Sequence, residues 1–107
     1  MNSQYSEIRN KIQKWFENYC LKNKFEVKKR IDNAEKYYIV VESLKGSGEL
    51  IIAKGEYAPY RYISFDYALF EELKKFEYDA INYFYDKEGD SADYIIGEIK
   101  KGLDLLK

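Results

Sequence analysis

The chain contains no histidine, one cysteine and one proline among its 107 residues. Without histidine it lacks the commonest proton shuttle near neutral pH, and with it the usual zinc sets and most nucleophile–base pairs. A lone Cys20 cannot close an internal disulfide, and its helical spacing from Phe16 makes it a small buried apolar side chain. A reducing, cytoplasmic home is therefore expected. Long apolar runs are missing as well: stretches such as Tyr37 to Val41 are too short to span a bilayer or to form the core of a secretory signal. With no linkers, low-complexity tracts or internal repeats, residues 1–107 are read as a single domain.

What the chain has instead is aromatic. It carries 12 tyrosines, eight of them between Tyr57 and Tyr94, in a composition that is 46% apolar and 35% charged. That is too much apolar material for a disordered chain and too much charge for a bilayer, so a folded, soluble domain with one core is expected. Tyrosine can be half buried and half wet, which suits a binding surface.

The net charge of −1 conceals an asymmetry. Residues 1–54 hold 11 basic against 7 acidic side chains, and residues 55–107 hold 7 against 12. Between Asp66 and Asp93 nine carboxylates (Asp66, Glu71, Glu72, Glu77, Asp79, Asp86, Glu88, Asp90, Asp93) face only three lysines. Such a segment repels nucleic acid and attracts basic partners, although a merely hydrated acidic face has the same composition.

Periodicity assigns the elements. Tyr5, Ile8, Ile12, Trp15, Phe16, Tyr19 and Cys20 recur at three- and four-residue steps, predicting an amphipathic helix over residues 4–22 with Ser3 as its N-cap. Phe25, Val27, Lys29 and Ile31 alternate with Glu26, Lys28 and Arg30 as in a half-buried strand. A turn over Asp32 to Glu35 leads to a second strand, Lys36 to Leu44, whose apolar residues on both parities place it centrally in a sheet. Gly46-Ser47-Gly48 reads as the next turn, before a third strand from Glu49 to Lys54. After a turn over Gly55 to Pro59, a fourth strand runs from Tyr60 to about Tyr67, with Tyr60, Tyr62 and Ser64 facing opposite to Arg61, Ile63 and Phe65.

The segment from Asp66 to Asp86 supports two readings. Leu69, Leu73, Phe76, Ala80 and Tyr83 fit a helical stripe capped by Asp66, whereas Ile81, Tyr83 and Tyr85 alternate with Asn82, Phe84 and Asp86 as a strand. We favour a fifth strand near residues 79–86, with Leu69 to Lys75 a connection that has room for one helical turn. A last helix, capped by Asp90 or Ser91, carries Ile95, Ile96, Ile99, Leu103 and Leu106. The predicted class is α+β: an N-terminal helix, an antiparallel sheet of four to five strands and a C-terminal helix, both helices on one sheet face.

Known chemical motifs fit poorly. Gly46-Ser47-Gly48 lies between strands and not ahead of a helix, so it reads as a hairpin and not as a phosphate loop. Asp86-Lys87-Glu88-Gly89-Asp90 resembles a calcium loop, but its glycine stands at the fourth place and its twelfth residue is Gly97 instead of a bidentate Glu. Two carboxylates alone can run acid–base chemistry, yet no serine or cysteine sits in an activated-nucleophile motif. The expectation is a non-enzymatic protein with no metal or cofactor. Its partner-binding surface would combine Tyr57, Tyr60, Arg61, Tyr62, Tyr83 and Tyr85 with the carboxylates Asp66, Glu71, Glu72, Glu77, Asp79, Asp86 and Glu88, aromatic and Arg anchors in a polar rim.

The run Ala58-Pro59-Tyr60-Arg61-Tyr62-Ile63-Ser64-Phe65, then Tyr83-Phe84-Tyr85-Asp86, then Tyr94-Ile95-Ile96 through Lys101-Gly102-Leu103, resembles small bacterial immunity proteins that protect cells from their own polymorphic toxins. The resemblance covers the second half of the chain. It implies a cytoplasmic protein that covers or plugs a cognate toxin domain, such as a basic nuclease, with no catalytic residues to carry over. Two other classes keep a place: a phage or mobile-element inhibitor that mimics nucleic acid, and a small ligand-binding domain or enzyme.

Overall fold

Alternation decides which side of each strand is buried, and it is cleanest in the middle of the chain. The computed structural model describes residues 3–55 and 58–107, Ser3 by its backbone only. Five antiparallel strands pair in chain order: β1 (Glu26–Asp32), β2 (Lys36–Glu42), β3 (Gly46–Ala53), β4 (Ile63–Leu69) and β5 (Asn82–Tyr85). Helices α1 (Ser3–Lys22) and α3 (Ala92–Leu106) flank this meander in sequence, and α2 (Phe70–Phe76) with a 3₁₀ turn (Glu77–Ala80) joins β4 to β5. The α+β architecture is the one the periodicity predicts.

Both long helices lie on one face. Ile12 and Phe16 of α1 and Ile95, Ile99 and Leu103 of α3 share a core with Tyr37, Ile39, Leu50, Ile52, Ile63 and Phe65 from the three inner strands. Removing such side chains from water is the main stabilising term, at about 1.5–3 kcal/mol each. Tyr37 shows how a phenol enters such a core: its hydroxyl donates to Glu17 Oε2 at 2.6 Å, and burial first, then that bond, raise its ionisation. Burial, with Glu17 nearby, likewise pushes the Cys20 thiol up to about 12, so it is an unreactive core residue.

Capping follows side-chain chemistry. Helix α1 ends where Lys24 takes a left-handed φ of 62°, with Phe25 N donating to Cys20 O. Of the two candidates for the α3 cap, Ser91 fills the role, accepting from Tyr94 N at 3.1 Å. The N-cap assigned to Ser3 falls on a side chain outside the described residues.

Three boundaries differ from the sequence reading. Gly46, Ser47 and Gly48 are strand residues of β3, and the hairpin turn is Ser43-Leu44-Lys45, so β2 also stops at Glu42. Glycine is needed here for close approach: a Cβ on Gly46 would meet the Ala68 carbonyl oxygen and, at 2.6 Å, Leu106 Cδ2. Ser43 makes the turn instead, accepting from Lys45 N and Gly46 N and donating to the Leu106 carbonyl. The fourth strand begins at Ile63 and not at Tyr60. Both readings of residues 66–86 hold in part, with a seven-residue helix followed by a four-residue strand, but Asp66 is no helix cap: it lies within β4, and Leu69 precedes the helix.

A fourth difference lies in β1. A register shift between Val27 and Lys29 inserts one residue, so Arg30 and Asp32 turn to the helix side while Lys29 and Ile31 face away. Arg30 then meets Glu17 and Arg9 meets Asp32, fastening this edge to α1.

Candidate functional site: the open sheet face

Register places two rows of side chains on the sheet face that α1 and α3 leave open. One row reads Ile31, Tyr38, Ile51, Ser64, Tyr85, and the next Lys29, Val40, Glu49, Asp66, Tyr83, from β1 to β5. At the β5 end the phenol rings gather. Tyr83 and Tyr85 lie 5.8 Å apart between centroids, and Tyr60 stands 6.2 Å from Tyr85. Tyr83 is 57% exposed. Tyr60, Tyr83 and Tyr85 are thus brought together at this end, Tyr60 and Tyr85 half-buried, although β5 is only four residues long.

At the centre stand Glu49 and Asp66, opposite each other on β3 and β4. Tyr38 donates its hydroxyl to Glu49 Oε2 at 2.6 Å, and that bond, more than burial, pushes the Tyr38 phenol up to about 12. Partial burial, then the Glu49 charge and a hydrogen bond with Glu49, raise the Asp66 carboxyl to about 7. Burial and the facing Glu49 charge thus both disfavour an ionised Asp66. Asp66 was expected in the surface; Glu49 and Tyr38 were not. The alternation of β3 points Glu49 away from Leu50, but its partner becomes visible only once Gly46–Gly48 are strand residues.

Next to this face the chain forms an acidic lobe. Helix α2 leaves β4 beside the hairpin turn, where Phe70 N donates to Lys45 O at 2.8 Å, and neither α2 nor the 3₁₀ turn has a buried residue. Glu71, Glu72, Glu77 and Asp79 lie here with Lys74 and Lys75, and Phe76 and Tyr78 are exposed among them, Tyr78 at 84%. Glu88 is exposed in the following turn.

Other predicted site residues do not join this surface. Asp86 is 1% exposed. Its Oδ1 accepts from Tyr62 N and Ile63 N at 2.8 Å each, and its Oδ2 accepts from Arg61 Nε at 3.1 Å. Arg61 is itself largely buried, reaches the Asp90 carbonyl and lies over the Tyr62 ring. These two charges are not a docking anchor and a steering carboxylate but an internal clamp that ties the start of β4 to the end of β5, because the amides of Tyr62 and Ile63 need an acceptor. Tyr62 does not stand with Tyr60 but packs edge-on against Tyr5 of α1. Tyr57 lies outside the described residues.

Among the described residues no group of three or more His, Cys, Asp or Glu is arranged to hold a metal ion, and no helix is long and apolar enough to cross a membrane. Comparison of the chain with protein-family models, with curated proteins and with solved structures finds no match in any of the three.

Proposed function

We propose that this protein is a non-enzymatic docking protein of the immunity type, which covers a cognate toxin domain with its open sheet face and acidic lobe. The observation that carries this reading is the gathering of Tyr60, Tyr83 and Tyr85 into one aromatic cluster, Tyr83 exposed and the other two half-buried, on a sheet face that neither long helix covers. Rings of this kind, rimmed by charge, are where binding energy concentrates, and the acids of the lobe speed encounter with a basic partner. Carboxylates on the lobe stand in for phosphates if the partner is a nuclease; desolvated tyrosines slow dissociation.

The test uses a toxin domain sought among the genes neighbouring the one that encodes this chain. Co-expression rescues growth, and the purified pair forms a complex. Tyr83→Ala with Tyr85→Ala, in a variant whose melting curve matches the wild type, weakens binding at least about thirtyfold, since even one such anchor is worth about 2 kcal/mol or more. Leu105→Ala, exposed on α3, leaves binding unchanged. Wild-type affinity and rescue by the double variant would refute the proposal, and selective binding to a nucleic-acid-processing host enzyme instead would move the protein to the phage-inhibitor class.

A further inference from the structure

Directly opposed like charges destabilise a sheet, and Glu49 and Asp66 are so placed at the middle of the open face. Neither is in an ion pair among the described residues. The one cation in their row, Lys29, stands at its far end with Nζ over the Tyr38 ring, 5.5 Å from the centroid. Phenols bound the pair on both sides: Tyr38 is bonded to Glu49, and Tyr83 stands opposite Asp66. The chain thus sets two acceptors between two phenols, with no cation between them among the described residues.

We propose that the Glu49–Asp66 pair, with Tyr38 and Tyr83 as its walls, seats one arginine side chain of the docked protein. The inference rests on the open face being the docking surface. Charge complementarity selects a cation, and shape selects arginine over lysine. A planar guanidinium bonds two carboxylates along its edge while its faces stack on rings, whereas an ammonium is a compact, strongly hydrated point charge. A seated guanidinium also favours an ionised Asp66, so binding is linked to loss of the proton on that carboxyl. The groups facing Asp66 are Glu49 from β3 and Tyr83 from β5, with Tyr38 and Lys29 further along the face; Asp66 is the one raised into the neutral range.

The experiment is an NMR titration of the full chain with N-acetylarginine amide, with N-acetyllysine amide in parallel. The expected result is a saturable shift confined to Tyr38, Glu49, Asp66 and Tyr83, stronger for arginine than for lysine, and lost in Glu49→Gln with Asp66→Asn while the remaining amide spectrum overlays. Affinity at pH 8 exceeds that at pH 5.5 by at least about fivefold, because the ionised pair is depleted below pH 7. Shifts scattered over the acidic lobe, an equal response to lysine, a pH-independent affinity, or a response unchanged in the double variant would each overturn the seat. A null titration alongside loss of docking in Tyr83→Ala/Tyr85→Ala removes the arginine seat and keeps the face; unchanged docking in that variant removes the face itself.

Discussion

A carboxylate at 1% exposure persists only where its oxygens are occupied, and those of Asp86 are, by two backbone amides and a guanidinium. Removing it would strand the Arg61 charge and two amide donors in the interior. Asp86→Ala is therefore expected to cost about 3–5 kcal/mol in urea denaturation, the range for breaking a buried pair from one side. Glu88→Ala, two positions on and exposed, should stay within about 0.5 kcal/mol of wild type. Asp66 sits between these extremes. Its raised carboxyl is favourable to the fold while protonated, and that contribution is fully present below the unfolded value near 3.8 and lost as pH rises through about 7. The open face is thus under electrostatic strain at neutral pH, relieved by a proton in the free protein and, on the proposal above, by a cation in the complex.

Among the elements, β3 carries the sharpest constraint, since its two glycines lie under the end of α3. Gly46→Ala must push against the Ala68 carbonyl, which is backbone and cannot yield cheaply, so a loss of about 1–3 kcal/mol is expected in thermal or urea unfolding. Gly97→Ala in α3 meets nothing within 4 Å and should gain about 0.5–1 kcal/mol from helix propensity. This contrast also explains why some elements were legible in the sequence and others not. The long helices were, because apolar residues at three- and four-residue steps fit one geometry, and so was the body of β2, whose apolar run on both parities fits a central strand. Gly46-Ser47-Gly48 was not, because glycine marks both a turn and a close approach, and only the distant Leu106 decides between them. The segment after Asp66 divided because Leu69 to Phe76 has the helical period while Asn82 to Tyr85 has the β period, with a 3₁₀ turn between. Of the candidate surface, the phenols of β5 were legible from their spacing. The inward turn of Asp86 was not, since no local pattern tells a buried acceptor of strand amides from a surface acid.

At the scale of the whole molecule, charge and cover are unevenly arranged. The helices close one sheet face, and the edge by β1 holds Lys28, Lys29 and Arg30 against Glu26 and Asp32, while the opposite edge holds Tyr83, Tyr85 and the acidic lobe. A basic partner is therefore steered toward the β5 side, where the aromatic anchors stand. Hydrogen–deuterium exchange of the chain, free and in complex with the toxin domain that the proposed function requires, tests this arrangement most directly. The account predicts added protection in β4, α2 and β5, with the exchange of α1 and α3 unchanged. Protection confined to α1 and α3, with β5 and the lobe exchanging as in the free protein, would contradict it.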